Sequence, residues 1–163
     1  MVAEAEFDVL ILGAGSGGYA CALRAAQLGL SVGMVEKGNV GGTCLHVGCI
    51  PTKALLHAAD LYGEIQDGAK MGIVVEGLRV EWDKVQKNKA QIVKANSGGV
   101  THLMKSRDVD VYAGFGRLEG PKTVVVQDKA GKFVTLQTKN IILAVGSKPR
   151  ELPFAKYDGK VLM

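Results

Sequence analysis

The sequence contains no apolar run approaching the roughly 18 residues of a membrane span. Its opening, MVAEAEFD, is acidic and leads straight into a short apolar stretch. It therefore resembles neither a secretory signal nor an Arg-rich transit peptide, and a cytoplasmic setting is expected. Aromatic residues make up only 6% of the chain. Lys+Arg 20 against Asp+Glu 16 leaves a net charge of +4, with the positive side chains scattered. Neither a basic stripe nor a stacking platform is present, so no nucleic-acid partner and no membrane partner are expected. No internal repeat and no low-complexity tract occurs. There are three cysteines, and in a reducing compartment a cysteine pair is expected to be catalytic rather than structural.

What is present fits one globular domain. The 163 residues are 47% apolar and 22% charged, enough to build a core and far from the composition of a disordered chain. Glycine is in excess, with 22 residues where the usual share is roughly 7%. These glycines gather at 13–18, 38–48 and 114–120. Such clustering marks turns at which backbone must come close to something else.

Phe7 to Leu12 reads as a buried parallel strand that stops at Gly13. Gly17 to Leu28 is Ala-rich, free of Pro and ended by Gly29, which predicts a helix. Leu30 to Glu36 returns to strand composition, completing a right-handed βαβ unit. Helices are predicted from Pro51 to about Gln66 and over the long periodic segment Trp82 to Leu103, with Gly98-Gly99 its only blemish. Strands are predicted at Val109–Phe115, Thr123–Gln127, Phe133–Gln137 and Ile141–Val145, with a turn at Asp128-Lys129-Ala130-Gly131. The last is expected to be buried, and Gly146-Ser147-Lys148-Pro149 ends it.

Two motifs carry chemistry. Gly13-Ala14-Gly15-Ser16-Gly17-Gly18 is a G-x-G-x-x-G between a predicted strand and a predicted helix. There Gly13 would make the turn, Gly15 would admit a pyrophosphate and Gly18 would let helix and strand pack, with the helix N-terminus facing the phosphates. Glu36, at the end of the second strand, is placed to bond a ribose hydroxyl. The alternative is a glycine-rich turn beside an ordinary surface Glu.

The second motif runs from Gly41 to Lys53, GGTCLHVGCIPTK. In a regular helix, residues five apart have Cα atoms about 8.7 Å apart, whereas disulfides rarely bridge more than about 7 Å. A Cys44–Cys49 bond would therefore need irregular backbone, and Gly48 and Pro51 are available to disrupt a helix there. A helix starting near Pro51 would favour a thiolate at Cys49. Two inert cysteines, or metal ligation, are the alternatives, although no second Cys/His pair accompanies the spacing. Cys21 reads as a small core residue, and His46, His57 and His102 as structural or solvated. Lys53 on spacing alone is as readily a surface lysine as a functional one.

The strings GAGSGGYACALRAAQLG, VEKGNVGGTCLHVGCIPTKALL and IILAVGSKP resemble the N-terminal FAD-binding segment of the dihydrolipoamide dehydrogenases, a branch of the flavoprotein disulfide reductases. The resemblance spans essentially all 163 residues and about the first third of a typical member. It implies an α/β, Rossmann-like FAD-binding domain over 1–149, with a parallel sheet and an antiparallel β-meander insert. Residues 150–163 would be a truncated linker toward an NAD-binding domain.

By the same resemblance, Gly13, Gly15 and Gly18 surround the FAD pyrophosphate, and Glu36, followed by Lys37, meets the adenosine ribose. Gly42 and Thr43 line the phosphate side of the flavin. Cys44 matches the thiol that exchanges with dihydrolipoyl substrate, and Cys49 the sulfur that passes electrons to the flavin. Lys53 falls near the flavin ring, Gly116 at the adenine, and Gly146-Ser147 at the strand end beneath the cofactor. The implied activity oxidises dihydrolipoyl groups of 2-oxoacid dehydrogenase complexes and reduces NAD⁺, in a homodimer when full length.

Two positions depart from the common pattern: His46 stands where Asn is usual, and Val145 where Thr is usual. The first would alter hydrogen bonding near the cysteines, and the second removes a hydroxyl. The family's second glycine fingerprint, its later Gly-Asp segment and its His-Glu pair do not occur. The chain is therefore expected to be a fragment, inactive alone. The rival readings are a glutathione- or mercuric-type reductase, a non-catalytic nucleotide-binding module or split subunit, and a structural oligomerisation domain.

Overall fold

The computed structural model describes residues 5–160. In chain order the elements are β1 (Ala5–Leu12), α1 (Ser16–Gln27), β2 (Val32–Glu36), α2 (Gly42–His46), α3 (Cys49–Asp67), a 3₁₀ turn (Gly68–Met71), α4 (Trp82–Ser106), β3 (Asp110–Ala113), β4 (Phe115–Gly120), β5 (Thr123–Gln127) and β6 (Phe133–Leu143). The strands form one six-stranded sheet in the order β3-β2-β1-β6-β5-β4. β3, β2, β1 and β6 run parallel, while β5 and β4 continue the sheet antiparallel. This is the mixed α/β sheet with parallel strands and a meander that the sequence suggests.

β1 sits at the centre, and its alternation explains the layers. Val9 and Ile11 pack with Ala22 and Ala25 of α1, Met34 of β2 and Met104 of α4, forming a core on the helix side. Leu10 and Leu12 pack with Val35, Val124, Val126 and Leu136, forming a second core under the meander. The small helix residues let α1 lie close on the sheet. Leu10, Ile11, Met34, Met104 and Leu136 are essentially inaccessible, and burying a side chain of this size contributes roughly 1.5–3 kcal/mol. β3 and β4 lie at opposite edges yet only Gly114 separates them, so the meander must fold back over one face. Gly114 is required there because a Cβ would stand 2.4 Å from the Gln127 carbonyl oxygen.

Three boundaries differ from the sequence reading. The predicted strand Val109–Phe115 divides at Gly114 into β3 and the start of β4, a strand the pattern did not reveal. The two predicted strands Phe133–Gln137 and Ile141–Val145 are one strand, β6, which pairs with β5 over Phe133–Gln137 and with β1 from Leu136 to Leu143. Its far end is not buried, since Leu143 and the following Val145 are 60% and 68% exposed. α3 begins at Cys49, with Pro51 in its first turn, where a missing N–H costs nothing. α4 runs unbroken through Gly98-Gly99. The turn at Asp128–Gly131 forms as expected, with the Asp128 carboxylate accepting the N–H groups of Ala130 and Lys132.

Asp8 of β1 ties together β6 and the residue that leads into β2. Its carboxylate accepts from the Ser31 N–H, the Ser31 hydroxyl and Lys139 Nζ at 2.9, 3.0 and 2.7 Å. The Lys139 hydrogen bond, helped by Ser31, lowers the Asp8 pKa to about 2. No helix among the described residues is long and apolar enough to cross a membrane.

Candidate functional site

The site lies at the C-terminal ends of the parallel strands, where open α/β sheets place their ligand crevice. The main-chain bonds Gly13 N–H to Val35 O and Ala144 N–H to Leu12 O, each 2.8 Å, hold the strand ends together there. Gly13 has φ +99°, and a Cβ on it would stand 2.2 Å from the Ala144 carbonyl oxygen. Gly18 faces inward, where a Cβ would meet the Gly13 oxygen at 1.9 Å. Gly15 differs from both, for nothing lies within 4 Å of where its Cβ would be. The first and last glycines are thus demanded by the fold, and the middle one opens onto space.

That space is a cleft of about 930 Å³. Gly13, Gly15, Ser16 and Gly17 form one wall, Gly42, Thr43 and Cys44 another, and Ala144 to Pro149 a third. Gly15 is the N-cap of α1, with no side-chain cap bond and no acidic residue in the first turn. The leading N–H groups of α1 therefore face the cleft without a carboxylate in that turn, an arrangement suited to phosphate. A smaller cavity of about 290 Å³ adjoins it, lined among others by Glu36, Lys37, Phe115 and Gly116. Gly13, Glu36 and Val145 border both.

Glu36 ends β2, and its two carboxylate oxygens accept the N–H groups of Ala14 and Gly38, each at 2.7 Å. It fixes the glycine loop to the loop after β2 while bordering both cavities. Gly41 N–H donates to Ala14 O at 2.7 Å, a second tie between the same loops. Gly42 has φ +59°, and its Cβ would stand 2.7 Å from the Gly15 Cα, so the double glycine lets this loop close upon the first.

Cys44 and Cys49 form a disulfide with a Cα separation of 4.6 Å. The short distance follows from the backbone between them. α2 stops at His46, Val47 and Gly48 leave the helical conformation, and α3 starts at Cys49. A Cβ on Gly48 would stand 2.9 Å from Thr43 O and 3.3 Å from the Cys44 Cα, so the tight return of the chain excludes a side chain there. Cys44 lines the cleft, half-buried, whereas Cys49 is exposed as the first residue of α3. The positive end of α3 then favours a thiolate at Cys49 on reduction. Cys21 is a free thiol packed beside the helix-side core.

Residues 7–161 match the family model described as pyridine nucleotide-disulphide oxidoreductase. The chain belongs to this family. Among similar oxidoreductases are proteins named dihydrolipoyl dehydrogenase. One from Bacillus subtilis is 45% identical over 166 residues, covering 97% of this chain and 35% of the relative. Another, from Geobacillus stearothermophilus, is 44% identical over 158 residues, covering 96% and 33%. One from Staphylococcus aureus is 42% identical over 157 residues, with the same coverage of 96% and 33%. The chain spans about a third of the length of the curated relatives it matches.

In this family member the sequence-selected residues are distributed around the two cavities and behind them. Gly13, Gly15, Gly42, Thr43, Cys44, Gly146 and Ser147 share the larger cleft, and Glu36, Lys37 and Gly116 border the smaller cavity. Gly18 lies behind the cleft wall, against Gly13. Lys53 is exposed on α3 and lines neither cavity. Gly41, Phe115 and Lys148 also stand at the site without having been expected as site residues. Only Gly41 carried a signal, as the first of a double glycine before the cysteines.

Proposed function

We propose that the chain is the FAD-binding and redox-disulfide portion of a dihydrolipoamide dehydrogenase, with 1–149 as the first FAD segment and 150–163 leading toward an NAD-binding domain. One observation carries this reading: Cys44 of the Cys44–Cys49 disulfide lies on the wall of the cleft that the glycine loop and α1 N-terminus also line. The cleft fits FAD in its uncapped N–H groups, in the open space at Gly15 and in its extension into a second cavity. Gly13, Gly15, Gly42 and Thr43 would hold the phosphates, Glu36 and Lys37 the adenosine ribose, Gly116 the adenine and Gly146-Ser147 the strand end beneath. Lys53 would approach the flavin end from α3. When bound, FAD supplies two-electron transfer between the cysteine pair and NAD⁺.

The chain's own part is thiol–disulfide exchange. A dihydrolipoyl thiolate attacks Cys44 Sγ, forming a mixed disulfide as the Cys44–Cys49 bond breaks. Cys49 leaves as a thiolate, stabilised at the N-terminus of α3. The second substrate thiolate then attacks the substrate sulfur of the mixed disulfide and releases Cys44 as a thiolate. Substrate dithiol becomes disulfide, and the protein disulfide becomes dithiol. The proposed setting is a cytosolic 2-oxoacid dehydrogenase complex, with the full-length protein a homodimer.

One equivalent of dihydrolipoamide should convert the oxidised chain to the dithiol, read by mass after alkylation. The Cys44→Ser variant should consume none. Reaction with glutathione as fast as with dihydrolipoamide, at equal thiolate concentration, would favour the glutathione-type reading instead.

A further inference from the structure

His46 lies between the two cysteines and ends α2. Its ring Nε2 is 2.9 Å from the main-chain carbonyl of Val40, in a half-buried position. A carbonyl only accepts, so Nε2 carries the proton and donates. We propose that His46 is a positioning residue that sets the redox equilibrium of the Cys44–Cys49 pair by bracing α2 against the loop after β2. This rests on the reading of that pair as a redox couple.

The two cysteines are held unequally. Cys49 belongs to the 19-residue α3, and Thr52 N–H already donates to Gly48 O at 3.1 Å in its first turn. Cys44 belongs to α2, five residues long, and a helix of that length does not hold itself. Two side chains fasten it. Leu45 is buried, packing where a Cβ on Gly41 would stand. His46 reaches the adjoining residue of the same loop, at the Val40 carbonyl.

The anchor is firm, because Val40 packs on the helix-side core and Gly41 is tied to Ala14. While the disulfide is closed, the covalent bond keeps α2 in place and the His46 bond is fully formed. Once it is reduced, α2 frays and the bond is made only part of the time. Removing the donor therefore destabilises the disulfide state more than the dithiol state, and makes the pair easier to reduce.

The 163-residue chain, equilibrated with mixtures of reduced and oxidised dithiothreitol and then alkylated, reports this by mass. The exchange balances as protein disulfide plus dithiothreitol giving protein dithiol plus its cyclic disulfide. Two added labels count Cys44 and Cys49, Cys21 being labelled throughout. His46→Gln keeps an N–H at the position of Nε2, whereas His46→Met has similar reach and none.

The Met variant, and His46→Ala with it, should shift the equilibrium about threefold to tenfold toward the dithiol, about 15–30 mV for two electrons. His46→Gln should stay within about twofold of the parent. All variants within twofold, or Gln shifting as far as Met, would overturn the proposal. A parent pair that never closes in oxidised dithiothreitol would overturn the redox reading itself, and this proposal with it. Should the Met and Ala variants not fold, ¹⁵N shifts of His46 in the parent decide. In the neutral ring the Nε2–H tautomer is expected in the disulfide form, and an Nδ1–H tautomer would refute the brace.

Discussion

Alanine at Gly18 and alanine at Gly15 are the same chemical change three residues apart, and they should have opposite consequences. At Gly18 the new Cβ would be 1.9 Å from the Gly13 carbonyl oxygen and 2.9 Å from its carbon. Backbone on both sides must shift by more than 1 Å to reach van der Waals contact. Overpacking of this kind costs about 2–3 kcal/mol, which for a domain of this size lowers Tm by about 4–12 °C. At Gly15 the Cβ meets nothing within 4 Å, and φ is −69°. There the lost preference for Gly over Ala at an N-cap offsets the entropy that Ala removes from the unfolded chain, leaving stability within about 1 kcal/mol of the parent. The Gly15 methyl instead stands in the cleft, and should weaken FAD binding at least about tenfold, or 1.4 kcal/mol. Thermal melts followed by circular dichroism, with flavin-fluorescence titrations of both variants, give the four numbers needed. Equal Tm losses, or a Gly15→Ala chain that binds FAD as the parent does, would refute the division of the loop into structural and ligand-facing glycines.

Other substitutions probe the ties around the cleft. Glu36→Ala leaves the N–H groups of Ala14 and Gly38 without their carboxylate acceptor. It should cost about 1.5–3 kcal/mol in urea unfolding, and no change would show that water replaces the carboxylate freely. Gly48→Ala places a Cβ 2.9 Å from Thr43 O. Its dithiol should reoxidise several-fold more slowly than the parent, and an unchanged rate in a stopped-flow assay would contradict the tight return between the cysteines. Asp8 has its pKa lowered from 3.8 to about 2, so its contribution to stability is complete above about pH 4 and lost as pH falls toward 2. Asp8→Asn should flatten the fall in stability over that window, and an identical acid profile would argue against the Lys139 and Ser31 bonds. Lys139 is raised by the same contact, so its share persists below about pH 10.5 and disappears as pH climbs beyond its raised pKa.

The parts of the fold written in local pattern were legible in the sequence. β1, α1 and β2 declared themselves because an apolar run, a glycine turn and an Ala-rich segment each have one local solution. β4 was hidden because Phe115 to Gly120 is mostly exposed and lacks alternation. Its place follows from pairing with β5, a non-local fact. The gap assumed within β6 came from Thr138-Lys139-Asn140, polar residues that would end a free-standing strand. Here Thr138 hydroxyl donates to Asn140 O, Asn140 reaches Asp8 O and Lys139 reaches the Asp8 carboxylate, so their polar groups are met within the sheet.

At the site, the glycine loop is legible by spacing, whereas the spacing of Cys44 and Cys49 leaves inert cysteines and metal ligation open until the irregular backbone between them joins the pair. The second task of Glu36, accepting main-chain N–H groups from two loops, is not legible, because nothing in sequence records that those loops meet. The structural reading of His46 agrees with its bond to Val40 O, but that partner is a main-chain carbonyl and leaves no mark in side-chain pattern.

A flavin in the cleft beside Cys44 is the central expectation. The visible absorption spectrum of the 163-residue chain, after incubation with FAD and removal of free flavin, tests this most directly. Flavin bands near one equivalent per chain, lost in Gly15→Ala, are expected. A folded parent chain that emerges colourless would contradict the assignment of the cleft.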